Sequence, residues 1–349
     1  MGGMAFKQKY NIESVRLPAT DYFKISSYLT WKLEKFFEKV VLIPAFTDKK
    51  DFGDADLLVA NPRENHEPVT IQLQKIFNLD ENEIIQNSNI YSCLIQKFQV
   101  DVILTNSKFF YSSLDYFSFS PLGNLMGKLA HKFSARLGFD GLSYMLRDDQ
   151  NVYKLGTLAV SQDYEKICKF LKLDWVSRKR GFTTEQQIFD WIINSEYFDA
   201  RIFAYENMTH IAKVRDRKRP DYARFLKYIE KFKNKVYDFP LKSDAVKLLN
   251  EFFPESNLIG QIQELKDKEI KRKENAAKFN GDLVRDWCPG LEGKELGKVL
   301  SEFKFHRGAC SDARTFEDYL QMYPAEKIKS DFFAWIKEFK VYSMSEINS

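Results

Sequence analysis

Asp54 and Asp56 stand one residue apart in DFGDADLLVANP, residues 51–62, a run that otherwise reads as a buried strand. Side chains on a strand alternate faces, so the two carboxylates project from one side while Ala55, Leu57 and Val59 project from the other. Like charges this close raise one another's pKa unless a cation lies between them, which points to a divalent metal or a catalytic dyad. The same spacing also occurs at strand ends and turns, where both carboxylates are simply hydrated. A third acid, Asp101, sits in FQVDVIL between Val100 and Val102 and faces away from both in an apolar strand. Taken singly, it reads as a strand-end cap or half of a salt bridge. Three carboxylates on two adjacent strands form a set suited to two magnesium ions, one activating an attacking hydroxyl and the other stabilising a leaving pyrophosphate.

The elements that must position these acids follow from hydrophobic periodicity. Residues 21–39 predict an amphipathic helix and VVLIPAF a strand leaving it. DADLLVA is the next strand, VTIQLQKIFNL a helix, and YSCLIQKFQVDVILTN a strand pair turning near Gln96 to Phe98. From Pro121 the apolar positions Leu122, Leu125, Met126, Leu129, Phe133 and Leu137 predict one helix ending at Gly138. LSYML and NVYKLG suggest a further strand pair, and beyond Ser161 the pattern is almost wholly helical. The expected fold class is α+β, a mixed-sheet domain followed by a mostly helical region. The expected divisions are a lead over 1–20, the sheet domain over 21–160, a helical segment with a basic stretch over 161–255, and a helical domain over 256–349.

Composition narrows the function classes. The chain has 349 residues, 44% hydrophobic and 15% aromatic, enough for real cores. It has no apolar run of ~18 residues and no secretory signal pattern, so a soluble, intracellular protein is expected, with no membrane partner and the cytoplasm as compartment. Cys93, Cys168, Cys288 and Cys310 are widely separated, as are His66, His131, His210 and His306, and their spacing suits neither a zinc site nor a disulfide framework. His306 and Cys310 read as chance neighbours. The net charge is only +4, but residues 210–239 hold ten Lys/Arg against four Asp/Glu, interleaved with Tyr222, Phe225, Tyr228, Phe232 and Tyr237. Bases among aromatics suit phosphate contact and base stacking; at helical spacing the same residues make a core stripe with a solvated face.

With these residues in view, the chain resembles the nucleotidyltransferase superfamily, and most specifically the palm of the family X, polymerase-beta-like DNA polymerases. There a helix and strand lead through a Gly-Ser turn to Gly-Asp-x-Asp, then to a third Asp in an apolar strand, then to a Tyr-Phe turn opening a helix with an Asn and a basic residue. Here the corresponding parts are VVLIPAF, FGDADLLV, FQVDVILT and DYFSFSPLGNLMGKLAHKFSARLGF, and the likeness covers about residues 21 to 180. It implies that Asp54, Asp56 and Asp101 ligate two magnesium ions, and that Asp101 also accepts the primer hydroxyl's proton. It further implies that Tyr116 and Phe117 line the sugar, Asn124 the base edge, and that Lys128 faces nucleotide or template. Where the family has Gly-Ser, this chain has Pro44-Ala45-Phe46-Thr47, leaving Thr47, Lys49 and Lys50 as candidate phosphate donors; Phe119 and Ser120 replace the Gly-Ser of the sugar turn. Residues 278–304 are similar to the tail of tRNA CCA-adding enzymes, although they also read as an ordinary cap, turn and helix start punctuated by Pro289-Gly290.

The expectation is a nucleotidyltransferase that adds nucleotides from nucleoside triphosphates to a nucleic-acid 3′ end, RNA before DNA and tRNA among the candidates, with Arg215, Arg217, Lys218 and Arg219 gripping the acceptor. A family X-like DNA polymerase and a non-catalytic nucleic-acid-binding protein on the same fold are the alternatives.

Overall fold

The computed structural model describes residues 3–63, 66–150, 152–310 and 313–347. The chain folds into two compact units that divide between Gly260 and Gln261. The class is α+β: the first unit carries a mixed five-stranded sheet, and the chain beyond it is mostly helical.

The sheet order is Phe37–Leu42, Asp54–Pro62, Phe98–Thr105, Ile90–Ile95, Ile84–Asn87. Every neighbouring pair is antiparallel except the second, Asp54–Pro62 with Phe98–Thr105, which is parallel. Parallel neighbours require a long crossover. The helix Val69–Phe77 and the two antiparallel strands supply it. One face of the sheet buries Ala55, Leu57, Val59, Val100 and Val102 with Tyr22, Leu29 and Leu33 of the helix Ala19–Leu33. On the opposite face Leu58, Ala60 and Ile103 pack with Phe110, Leu114 and Phe117 of the helix Phe110–Phe117. That second core stops short of Asp54, Asp56 and Asp101.

Several boundaries differ from the periodicity, two of them most. The helix predicted over 21–39 ends at Leu33, and the strand already starts at Phe37, which is fully buried at the sheet edge opposite Pro62. The helix predicted to reach Gly138 ends at Lys132; Ser134 takes a left-handed φ of 58°, and Ala135–Gly138 becomes a strand paired with Gly141–Arg147. Leu137 fits both a 3.6-residue and a two-residue period, so its apolarity did not distinguish them. The Gly141–Arg147 strand also pairs with Lys154–Ser161, completing a separate three-stranded sheet. The strand Ile84–Asn87 and the helices Phe110–Phe117, Trp175–Arg180 and His210–Arg217 were not anticipated.

The second unit is helical around an aromatic core of Phe279, Phe303, Phe316, Phe332 and Trp335. The Asn280 side chain caps the helix Gly281–Trp287 by accepting from the Leu283 amide, and Gly290, at φ 102°, turns the chain toward the helix Gly293–Cys310. The Cys310 side chain lies outside the described residues. Among the described residues, no helix is long and apolar enough to cross a membrane.

Candidate active site

The parallel pairing places Asp56 directly opposite Asp101, and Asp54 opposite Gln99. Since residues two apart on a strand share a face, all three carboxylates meet on the side where the second core stops. One ligand oxygen from each lies within 4.8 Å of the others. Three oxygen ligands on rigid strands fit a hard divalent cation.

The electrostatics are those of like charges held close together and partly buried. Burial pushes the Asp56 carboxyl well above its ordinary value, repulsion from Asp54 and Asp101 adds to this, and Lys49 opposes it. Asp101 is raised to about 6, mainly by burial, with hydrogen bonds from Ser92 and Gln99 opposing. Gln99 donates to both Asp101 oxygens, at 3.0 and 3.1 Å. Tyr22 stacks on Phe52 at 3.8 Å, and its hydroxyl is raised to about 12 by burial and then by the Asp56 charge.

These shifts carry a pH dependence. A carboxyl whose folded-state pKa exceeds its unfolded value makes the fold bind more protons than the unfolded chain, so stability is greatest at low pH and falls as pH rises through the folded value. For Asp101 the window runs from its ordinary 3.8 to about 6, and Asp56 shifts in the same direction. In EDTA, the thermal midpoint of Asp101→Asn should therefore rise relative to the native protein as pH passes from 4 to 7, and saturating Mg2+ should remove the gap. A gap independent of both pH and metal would contradict this.

A cavity of about 750 Å³ opens on Asp54 and Asp56, lined also by Lys49, Lys50, Phe117, Phe119, Lys218, Arg219 and Arg224. Lys49 and Lys50 thus share a cavity with Asp54 and Asp56, and the Lys49 charge acts on Asp56. Thr47 instead lines an adjoining cavity of about 310 Å³ with Tyr22, Arg180 and Thr183. Tyr116 and Phe117, adjacent in sequence, face different spaces: Phe117 the acid cavity, Tyr116 a third cavity of about 320 Å³ shared with Asn124, Lys128 and Arg215.

In that third cavity Asn124, Lys128 and Arg215 are gathered around one fully buried carboxylate, Asp216. Lys128 Nζ lies 2.8 Å from its Oδ2, Arg215 Nε donates to its Oδ1 at 2.8 Å, and Asn124 Nδ2 donates to Oδ1 at 3.4 Å while Asn124 Oδ1 accepts from Arg215 at 3.2 Å. The Asp216 pKa is lowered: burial would raise it, but the Arg215 and Lys128 hydrogen bonds and charges prevail.

The four bases singled out in the sequence therefore separate. Arg215 belongs to the Asp216 cluster, Arg217 is exposed with its guanidinium 5.7 Å from the Tyr205 ring centre, and Lys218 and Arg219 reach the acid cavity. Sequence reasoning did not find Asp216 or the cavity placement of Lys218 and Arg219, which rests on a fold contact spanning more than 150 residues. Gln99 carried a local signal, since it stands two before Asp101 and must share its face.

Comparison with known proteins adds little to this geometry. No family model and no curated protein matches the chain. Among solved structures it is similar to two of Leishmania infantum polymerase beta: a ternary P/T complex, at 16% identity over 40% of this chain and 62% of that one, and a ternary gap complex, at 15% identity over 39% and 53%, each with a TM-score of 0.32. The chain thus spans less than two thirds of either polymerase.

Proposed function

We propose that this protein transfers a nucleotidyl group from a nucleoside triphosphate to the 3′ hydroxyl of a nucleic acid, with RNA, including tRNA, as the acceptor class to test first. One observation carries the reading: Asp54, Asp56 and Asp101, on adjacent parallel strands, bring carboxylate oxygens within 4.8 Å of one another beside a cavity of nucleotide size. The resemblance of Gly53-Asp54-Ala55-Asp56 to Gly-Asp-x-Asp, which rests on two of the same acids, agrees with it.

Asp54, Asp56 and Asp101 would hold two magnesium ions. When bound, such ions lower the pKa of the attacking hydroxyl and stabilise the leaving pyrophosphate. Asp101 is the acid that the resemblance casts as acceptor of the hydroxyl proton. Lys49, Lys218 and Arg219 line the cavity on which the acids open and take the phosphate role left vacant by Pro44-Ala45-Phe46-Thr47. Phe117 lines the acid cavity and faces the sugar; Tyr116, Asn124 and Lys128 line a separate cavity around Asp216 and take no part in holding a nucleotide at the acids. The RNA preference rests on the resemblance of residues 278–304 to CCA-adding tails and on the basic, aromatic composition of residues 210–239.

Two measurements test the reading. Labelled nucleotides, offered singly with Mg2+, should extend RNA 3′ ends; extension of gapped DNA in preference would overturn the RNA assignment, and extension of neither would overturn the enzyme reading. Replacing Lys218 and Arg219 together by Ser should raise the nucleotide KM by about 10-fold or more, since a hydrogen bond to a charged group contributes roughly 1.5–3 kcal/mol. An unchanged KM with weakened acceptor binding would instead return these bases to the acceptor.

A further inference from the structure

Residues 3–15 are bound to the acid cluster by a chain of hydrogen bonds. The Gly3 amide donates to Asp54 Oδ2 at 3.0 Å, and the Ala5 amide donates to Gln99 Oε1 at 3.0 Å. Gln99 passes this hold on through its amide nitrogen, which donates to both oxygens of Asp101. The segment is itself pinned at three further points. Ser14 Oγ donates to the Gly3 carbonyl at 2.5 Å, the Val15 amide donates to the Lys97 carbonyl at 2.8 Å in the turn before the Asp101 strand, and Phe6, on the helix Ala5–Tyr10, is fully buried.

Gly3 is required by this arrangement. Its φ is 80°, and a β-carbon there would lie 2.3 Å from the Gly53 carbonyl oxygen and 2.8 Å from Ser14 Oγ. The close approach brings an N–H donor against Asp54 where a side chain of any kind would separate the two backbones. A backbone N–H and a side-chain amide supply hydrogen bonds but no positive charge, so they orient Asp54 and Asp101 without competing as counter-ions for a metal.

We infer that the Gly3–Val15 segment and Gln99 form a positioning strap for the cation-binding carboxylates, Gly3 orienting Asp54 and Gln99 orienting Asp101. This rests on the metal-binding reading given above. Outer partners of ligating groups commonly contribute 10–100-fold to metal affinity.

The test is a Mn2+ titration of the full chain by electron paramagnetic resonance, paired with the thermal midpoint in EDTA. Gln99→Met keeps length and packing but removes the amide; Gly3→Val forces the strap off Gly53 from the other side. Both should weaken Mn2+ binding by about 10- to 100-fold, with Gln99→Met leaving the metal-free midpoint within a few degrees, and Ser14→Ala should fall between the native protein and Gly3→Val. A lowered midpoint with unchanged Mn2+ affinity would make the segment merely structural and overturn the strap alone. Tighter Mn2+ binding in the variants would also overturn it, because the segment would then be an obstruction. Failure of the native protein to bind Mn2+ at all would overturn both the strap and the metal-binding reading.

Discussion

Asp56→Asn is expected to reduce nucleotide incorporation by at least about 10³-fold, a loss of roughly 4 kcal/mol of transition-state stabilisation, within the several kcal/mol that metal-borne charge stabilisation supplies. Asp56 is the central acid of the three, facing Asp101 across the parallel pair and two residues from Asp54 on its own strand. Its removal should take away a ligand while sparing the fold. In the metal-free state the variant should be slightly more stable than the native protein, because burial and two neighbouring carboxylates already disfavour the Asp56 charge. Incorporation kinetics and the thermal midpoint in EDTA check the two halves together. Near-native turnover by Asp56→Asn would end the two-metal account.

A large stability effect is expected at a position with no place in the chemistry. Asp216 is fully buried, Lys128 is only 14% exposed, and the two are 2.8 Å apart with Arg215 and Asn124 completing the cluster. Asp216→Ala strands a nearly buried ammonium, and breaking a buried pair from one side costs about 3–5 kcal/mol. For a unit of this size that corresponds to a fall of roughly 6–20 °C in the thermal midpoint. Lys128→Met should cost less, since Arg215 and Asn124 still satisfy Asp216. Because Asp216 has a lowered pKa, its stabilisation is present above the ordinary carboxyl range and is lost as pH falls through the folded value, so the gap between native protein and Asp216→Ala should close in acid. A midpoint within a degree or two of native at neutral pH would show that the cluster contributes little.

The acids were legible because a strand's two-residue period is strict: Asp54 and Asp56 must share a face, and Asp101 must oppose Val100 and Val102. That the two strands lie side by side was an inference from the shared chemistry of their acids, and the register that sets Asp56 against Asp101 came only from the structure. Short apolar stretches were ambiguous, so Leu137 was placed on a helix although it belongs to a strand. Ile84–Asn87 is half polar and too short to announce itself. Asp216 was hidden for a different reason. In VRDRKR every local signal describes a solvated charge run, and nothing nearby says that one member is buried by Lys128, some ninety residues earlier in the chain. The separation of Arg215 from Lys218 and Arg219, and the hold of Gly3 on Asp54, are likewise contacts between segments far apart in sequence.

The central claim is that Asp54, Asp56 and Asp101 bind the metals that act on a nucleotide. It is tested most directly by anomalous diffraction from crystals of the protein with Mn2+ and a non-hydrolysable nucleoside triphosphate. The expected result is two anomalous peaks held by Asp54, Asp56 and Asp101, with the phosphates directed toward Lys49, Lys218 and Arg219. Nucleotide bound elsewhere, or an acid cluster without metal at saturating Mn2+, would contradict it.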